Sequence, residues 1–183
     1  MTLTKFIFLD VDGVLNSMPY CERAGRELNP ENIRRLKEIV DATGAKIVLS
    51  STWKQIWDDT GKDAKDMRLR LTYALDAYRL FIGAFTPNLP TGFRPEEIKQ
   101  FLEEYKSVHP MEKVVWVSLD DDYKEEHYRS CGLGSGLIQT RFFCKSEDEG
   151  GLQDIHVEKA IQMLGRKHDH HYRNVSGFPK TDL

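Results

Sequence analysis

Two aspartates set two residues apart, Asp10 and Asp12, stand where the apolar run Phe6-Ile7-Phe8-Leu9 gives way to Gly13. A strand alternates its side chains, but where it breaks into a glycine turn both carboxylates can converge on one bound ion. An aspartate held beside Mg²⁺ can attack phosphorus and form an aspartyl-phosphate, so the chemistry open to this pair is metal-dependent phosphoryl transfer. D-x-D-G by itself also occurs as a plain acidic turn. A Ca²⁺ loop of the EF-hand kind is a poor alternative, because Gly13 follows Asp12 directly and Cys21 stands where the loop needs its glutamate.

Other polar groups recur at the ends of apolar runs. Lys46-Ile47-Val48-Leu49 leads into Ser50-Ser51-Thr52, and Val114-Val115-Trp116-Val117-Ser118-Leu119 leads into Asp120-Asp121-Asp122. Between them lie helical signals. Asn29-Pro30-Glu31 reads as an N-cap with proline in the first turn, the stripe Ile33, Leu36, Ile39 and Val40 follows, and Gly44 closes the segment. Helical spacing recurs over about 62–78, from Pro95 through Ile98, Phe101, Leu102 and Tyr105, and over Leu152 to Leu164. Leu80 to Phe85 and Gly136 to Thr140 complete the strands.

This alternation predicts an α/β fold, a Rossmann-like parallel sheet flanked by helices. Ligands of such sheets bind beyond the carboxyl ends of the strands, and Asp10, Ser50 and Asp120 all fall at such ends. The expected organisation is one domain over 1–165 and a polar, histidine-rich, weakly ordered tail over 166–183.

With 183 residues and a net charge of -3, the chain has no global basic field, so any nucleic-acid contact must be local. Cys21, Cys131 and Cys144 fit neither a disulfide framework nor a zinc spacing, and a reducing cytoplasm is the expected home. No signal-peptide pattern and no apolar run of about 18 residues is present, so a soluble, unprocessed protein without membrane contact is expected. His168, His170 and His171 read as a solvated tail rather than a metal site. Trp53 and Trp57, four apart, suit the core, and one of them is equally suited to stacking on a base.

Asp10-Val11-Asp12-Gly13, the hydroxyl at Ser50, a basic residue before the last motif and Asp120-Asp121 together resemble the haloacid dehalogenase (HAD) superfamily, over roughly 5–165. Leu49-Ser50-Ser51-Thr52-Trp53, Leu119-Asp120-Asp121 and Gly151-Leu152 look like the HAD domain of Swiss-Army-knife RNA repair proteins. The resemblance implies Asp10 as nucleophile and Asp12 as general acid and base. It places Mg²⁺ between Asp10, the Asp12 backbone carbonyl and the Asp120 carboxylate, with Asp121 a further ligand or an orienting group. Asp122 suits a helix N-cap. Ser50 would bind the phosphate, with Ser51 and Thr52 as substitutes; Thr52 also suits a helix cap. The basic residue is Arg94, with Lys99 the alternative. Superfamily members commonly carry a cap domain. The stretch from Asp12 to Ser50 leaves room for a small flap and one helix, and that from Trp53 to Arg94 is nearly filled by a helix and a strand, so an essentially capless site is expected.

The expected activity is therefore a phosphomonoesterase acting on polynucleotide or nucleotide ends, with a separate kinase or ligase as an expected partner. A small-metabolite phosphatase and a catalytically weak binding module stand as alternatives, and oligomeric state is left open.

Overall fold

β1 (Leu3–Leu9) sends Ile7 and Leu9 to one face of the sheet and Phe6 and Phe8 to the other, and all four are buried. That double burial is why the strand is apolar without a break. In the computed structural model, which describes residues 2–25 and 27–165, β1 is the middle of a five-stranded, wholly parallel sheet. The other strands are β2 (Lys46–Leu49), β3 (Ile82–Phe85), β4 (Lys113–Asp120) and β5 (Leu137–Gln139), in the order β3-β2-β1-β4-β5.

Helices cover both faces. α2 (Pro30–Thr43), α3 (Lys62–Asp76) and α6 (Asp154–Leu164) bring Ile33, Leu36, Leu71, Leu75 and Val157 onto the Ile7 and Leu9 face. On the other face, α4 (Arg94–Val108) and α5 (Glu125–Ser130) pack Ile98, Phe101, Tyr105 and Tyr128 against Phe6 and Phe8. Phe6 meets the rings of Phe101 and Tyr105 edge-on at 5.4 and 4.9 Å, the geometry that aromatic quadrupoles favour. α2 begins and ends as its sequence directs. The Asn29 side chain accepts a hydrogen bond from the Glu31 N–H at 3.0 Å, and Gly44 takes the left-handed conformation at φ 71°.

Four local features differ from expectation. The expected flap is a short helix, α1 (Met18–Ala24). The loop after Ser51 winds into a 3₁₀ turn over Thr52–Trp57, capped by Ser51 rather than Thr52, because the Ser51 hydroxyl accepts from the Trp53 N–H at 3.3 Å. β3 starts two residues beyond Leu80, whose N–H is used to close the end of α3 on the Leu75 carbonyl. α6 starts at Asp154 because the Leu152 N–H is already bonded to the Val14 carbonyl at 2.9 Å.

No cap domain interrupts the described residues, since α1 and α2 fill the stretch from β1 to β2, and α3 and β3 that from β2 to α4. The expected tail over 166–183, with its three histidines, lies outside the described residues. No described helix is long and apolar enough to cross a membrane.

Candidate active site

The chain runs from β1 out to β2 and β3, then returns across β1 to β4, so the order reverses between the carboxyl ends of β1 and β4. Crevices open at such reversals. Leu9 pairs with both Leu49 and Leu119, which sets Asp10, Ser50 and Asp120 side by side on one rim.

Four carboxylates gather there. Asp10, Asp120, Asp121 and Asp122 each offer an oxygen within 4.8 Å of the others. Arg94, at the start of α4 and itself buried, reaches into them: Nη1 bonds Asp10 Oδ2 and, at 2.7 Å, Asp120 Oδ2, while Nη2 bonds Asp122 Oδ2 at 3.0 Å. A planar fork with several fixed donors can bridge three acids in this way, whereas a lysine has one point charge. Lys99 faces outward and pairs with Glu103 at 3.9 Å, so of the two basic candidates only Arg94 joins the cluster. Asp122, expected as a helix cap, instead binds Arg94 and donates its N–H to Asp120 Oδ1 at 2.9 Å. α5 starts three residues later, behind Lys124.

One guanidinium does not balance four acids. Burial, reinforced by Asp120 and opposed by Arg94, pushes Asp10 up to about 7. Burial likewise raises Asp120 to about 6 against the pull of Arg94, and Asp121 to about 6 with Asp122 adding to it. Burial disfavours the charge on Arg94, but Asp10 and Asp120 outweigh that and hold it protonated.

The donors suit a hard divalent cation, being all oxygen and in excess of negative charge. Gly13 adds a second observation. At φ +76°, a Cβ on it would stand 2.2 Å from the Asp121 carboxyl carbon, so only a glycine lets that carboxylate lie against the turn. The residues present therefore fit an ion such as Mg²⁺.

Asp12 stands apart from the four. It is exposed, and its two oxygens accept from Asn16 Nδ2 and Trp53 Nε1, each at 2.8 Å. Asn16 in turn accepts the Gly13 N–H at 3.0 Å, so the turn holds the carboxylate that extends from it. Of the hydroxyls, Ser51 bonds the Asp10 carboxylate, while the buried Ser50 hydroxyl has no hydrogen-bond partner among the described residues. The strand ends at Leu49, so the alternation that would aim Ser50 no longer applies at the next residue.

Sequence reading missed Asn16, the Trp53 indole N–H as a ligand of Asp12, and Lys54. The last is buried, with Nζ on Thr86 Oγ1 at 3.0 Å, the Pro87 carbonyl at 2.8 Å and Glu97 Oε2 at 2.5 Å. Its one sequence signal is a lysine lodged between two tryptophans four apart. Trp53 is buried in the core and Trp57 packs half-buried on Phe85 at 5.1 Å.

A parallel sheet with paired aspartates after its central strand, a hydroxyl after the next, a basic residue opening a later helix and an aspartate run after β4 defines a HAD-type α/β domain. The family model of the HAD domain in Swiss Army Knife RNA repair proteins matches residues 6–144, and the chain belongs to this family. The match takes in every residue of the rim. No curated protein matches the chain.

Proposed function

We propose that this protein is a Mg²⁺-dependent phosphomonoesterase that works through an aspartyl-phosphate and removes terminal phosphates from polynucleotides or nucleotides. The observation that carries the proposal is Asp10 held at the chain reversal between Ser51 and Arg94, with three further carboxylates beside it.

An Asp10 oxygen attacks phosphorus, the bond from phosphorus to the leaving oxygen breaks, and Asp12 gives that oxygen a proton. Asp12 then takes a proton from water, whose oxygen attacks the same phosphorus, freeing phosphate and restoring Asp10. Val11 N–H, 2.8 Å from Asp10 Oδ1, and Arg94 on Oδ2 fix the plane of the attacking carboxylate. Arg94 and Ser51 are the donors for phosphate oxygens, and the buried Ser50 adds a hydroxyl close by. Asp10, Asp120, Asp121 and Asp122 would hold Mg²⁺, with the Asp12 backbone as the remaining protein ligand. When bound, the ion offsets the negative charge that repels the incoming phosphate.

The polynucleotide reading draws on the family's description and on the missing cap, since an open site admits a large substrate that can itself exclude water. A separate kinase or ligase acting on the same ends belongs to this proposal. So does a reducing, cytoplasmic setting, which the three unpaired cysteines suit.

Phosphate release with Mg²⁺ from 3′- and 5′-phosphorylated oligonucleotides, nucleoside monophosphates and sugar phosphates tests it. Oligonucleotide ends should be the preferred substrates; Asp10→Asn should abolish release and Asp12→Asn should slow it by about 10² to 10⁴. Preference for sugar phosphates would make the protein a metabolite phosphatase, and no release from any substrate would leave a binding module.

A further inference from the structure

Asp12 is gripped by two groups that can only donate. Trp53 Nε1–H reaches one carboxylate oxygen and Asn16 Nδ2 the other, each at 2.8 Å. An indole nitrogen has no acceptor form. The Asn16 amide cannot turn round, because its oxygen accepts the Gly13 N–H at 3.0 Å; reversed, it would set N–H against N–H at Gly13 and oxygen against oxygen at Asp12. We propose that Trp53 is the positioning residue of the acid and base: with Asn16 it determines which edge of the Asp12 carboxylate can carry the proton that passes to the leaving oxygen. The inference rests on the reading of Asp12 as that acid and base.

A carboxyl group that gives up a proton must carry it on a lone pair facing the oxygen that receives it. Each oxygen of Asp12 has two lone pairs, and on each oxygen one is taken by a donor that would collide with a proton placed there. A proton on Asp12 is therefore confined to the two remaining positions. The side chain is exposed even so, which leaves those positions to the leaving oxygen in the first half of the reaction and to water in the second.

The same residue sets where Asp12 stands relative to the nucleophile. The Trp53 backbone N–H donates to Ser51 Oγ at 3.3 Å, and the Ser51 hydroxyl donates its one proton to the Asp10 carboxylate. Asp10 and Asp12 are thus joined twice, through Val11 in the chain and through Ser51 and Trp53 in space. The indole ring is buried in the core, and the next residue, Lys54, is fixed on Glu97 in the first turn of α4. A donor anchored on both sides in this way resists drift, and misplacing a reacting group by about 1 Å can cost about 10²-fold in rate. A phenylalanine would fill the core as an indole does, so the N–H is what separates a positioning role from a packing one.

Two variants and two substrates test this. Trp53→Phe keeps an aromatic ring and removes the N–H. Asn16→Asp keeps the shape and the acceptor for Gly13 but turns the other donor into an acceptor. The quantity compared is kcat/KM, which covers the steps up to departure of the leaving group. One substrate is p-nitrophenyl phosphate, whose leaving group needs no proton; the other is whichever alkyl phosphate the wild type hydrolyses fastest. In both variants the alkyl phosphate should lose about tenfold or more, while p-nitrophenyl phosphate stays within about twofold. A general loosening of the fold lowers both together, so equal losses, or no loss with either substrate, overturn the role. The indole N–H resonances of ¹⁵N-labelled protein give a readout that needs no turnover. That of Trp53 should move on Asp12→Ala while those of Trp57 and Trp116 stay, and a Trp53 resonance that does not move overturns the clamp. A resonance that moves, in a protein whose wild type hydrolyses no phosphate, would keep the clamp on Asp12 and remove the phosphatase reading instead.

Discussion

Arg94 determines how much negative charge the rim can carry without a metal. It neutralises part of a four-acid cluster, and burial makes three of the acids resist ionisation, with Asp10 pushed up to about 7 and Asp120 and Asp121 to about 6. Each of these pKa values is raised above the ordinary 3.8, chiefly by burial. The folded protein thus binds more protons here than the unfolded chain does. The stability this contributes is complete below about pH 4 and is lost as pH rises to about 7. In EDTA, the melting temperature should therefore fall across that window, and Asp10→Asn should flatten the fall. Mg²⁺ competes with the same protons, so the rise in melting temperature it produces should be larger at pH 8 than at pH 5; a rise independent of pH would mean that these carboxylates do not bind it.

At the scale of elements, the buried pair of Lys54 and Glu97 ties the 3₁₀ turn that follows Ser51 to the first turn of α4, which carries Arg94. Glu97 also accepts the Leu89 N–H through its other oxygen at 3.1 Å, so both ends of the pair are satisfied. Removing one partner strands a charge, whereas replacing both with apolar groups does not. Lys54→Met should cost about 3–5 kcal/mol in urea unfolding, and the double change with Glu97→Leu should recover most of that. If the single change costs under about 1 kcal/mol, water reaches the pair and it does not tie the elements together. Much of this scale was legible beforehand. The cap and terminal glycine of α2 are local signals, read within one turn. The 3₁₀ turn was not, because Ser51, Trp53 and Lys54 adopt it through contacts with Asp10, Asp12 and Glu97, which lie far away in the chain.

Across the whole molecule, charge and topology point to a particular mode of substrate binding. The net charge is -3 and the rim gathers four carboxylates, so an oligonucleotide would meet no net positive field at this site. Binding should depend on few phosphate contacts, with a slope of log affinity against log salt near -1 to -2. Titrating oligonucleotide binding to Asp10→Asn protein from low to physiological salt checks this, and a slope steeper than about -5 would mean that a basic surface away from the rim carries the binding.

The sequence alone determined the parallel α/β sheet, because burial on both faces makes its central strands unbroken apolar runs, and it placed Asp10, Ser50 and Asp120 on one rim, because strand ends are marked where those runs stop. Selection among near-equivalent residues required the tertiary structure. Arg94 rather than Lys99, Ser51 rather than Ser50 beside Asp10, and Asp122 within the acidic cluster all depend on side-chain direction at the ends of elements, where neither the strand nor the helical period holds. Partners such as Trp53 for Asp12 and Glu97 for Lys54 lie some forty residues apart, and only packing of the sheet with its helices brings them together.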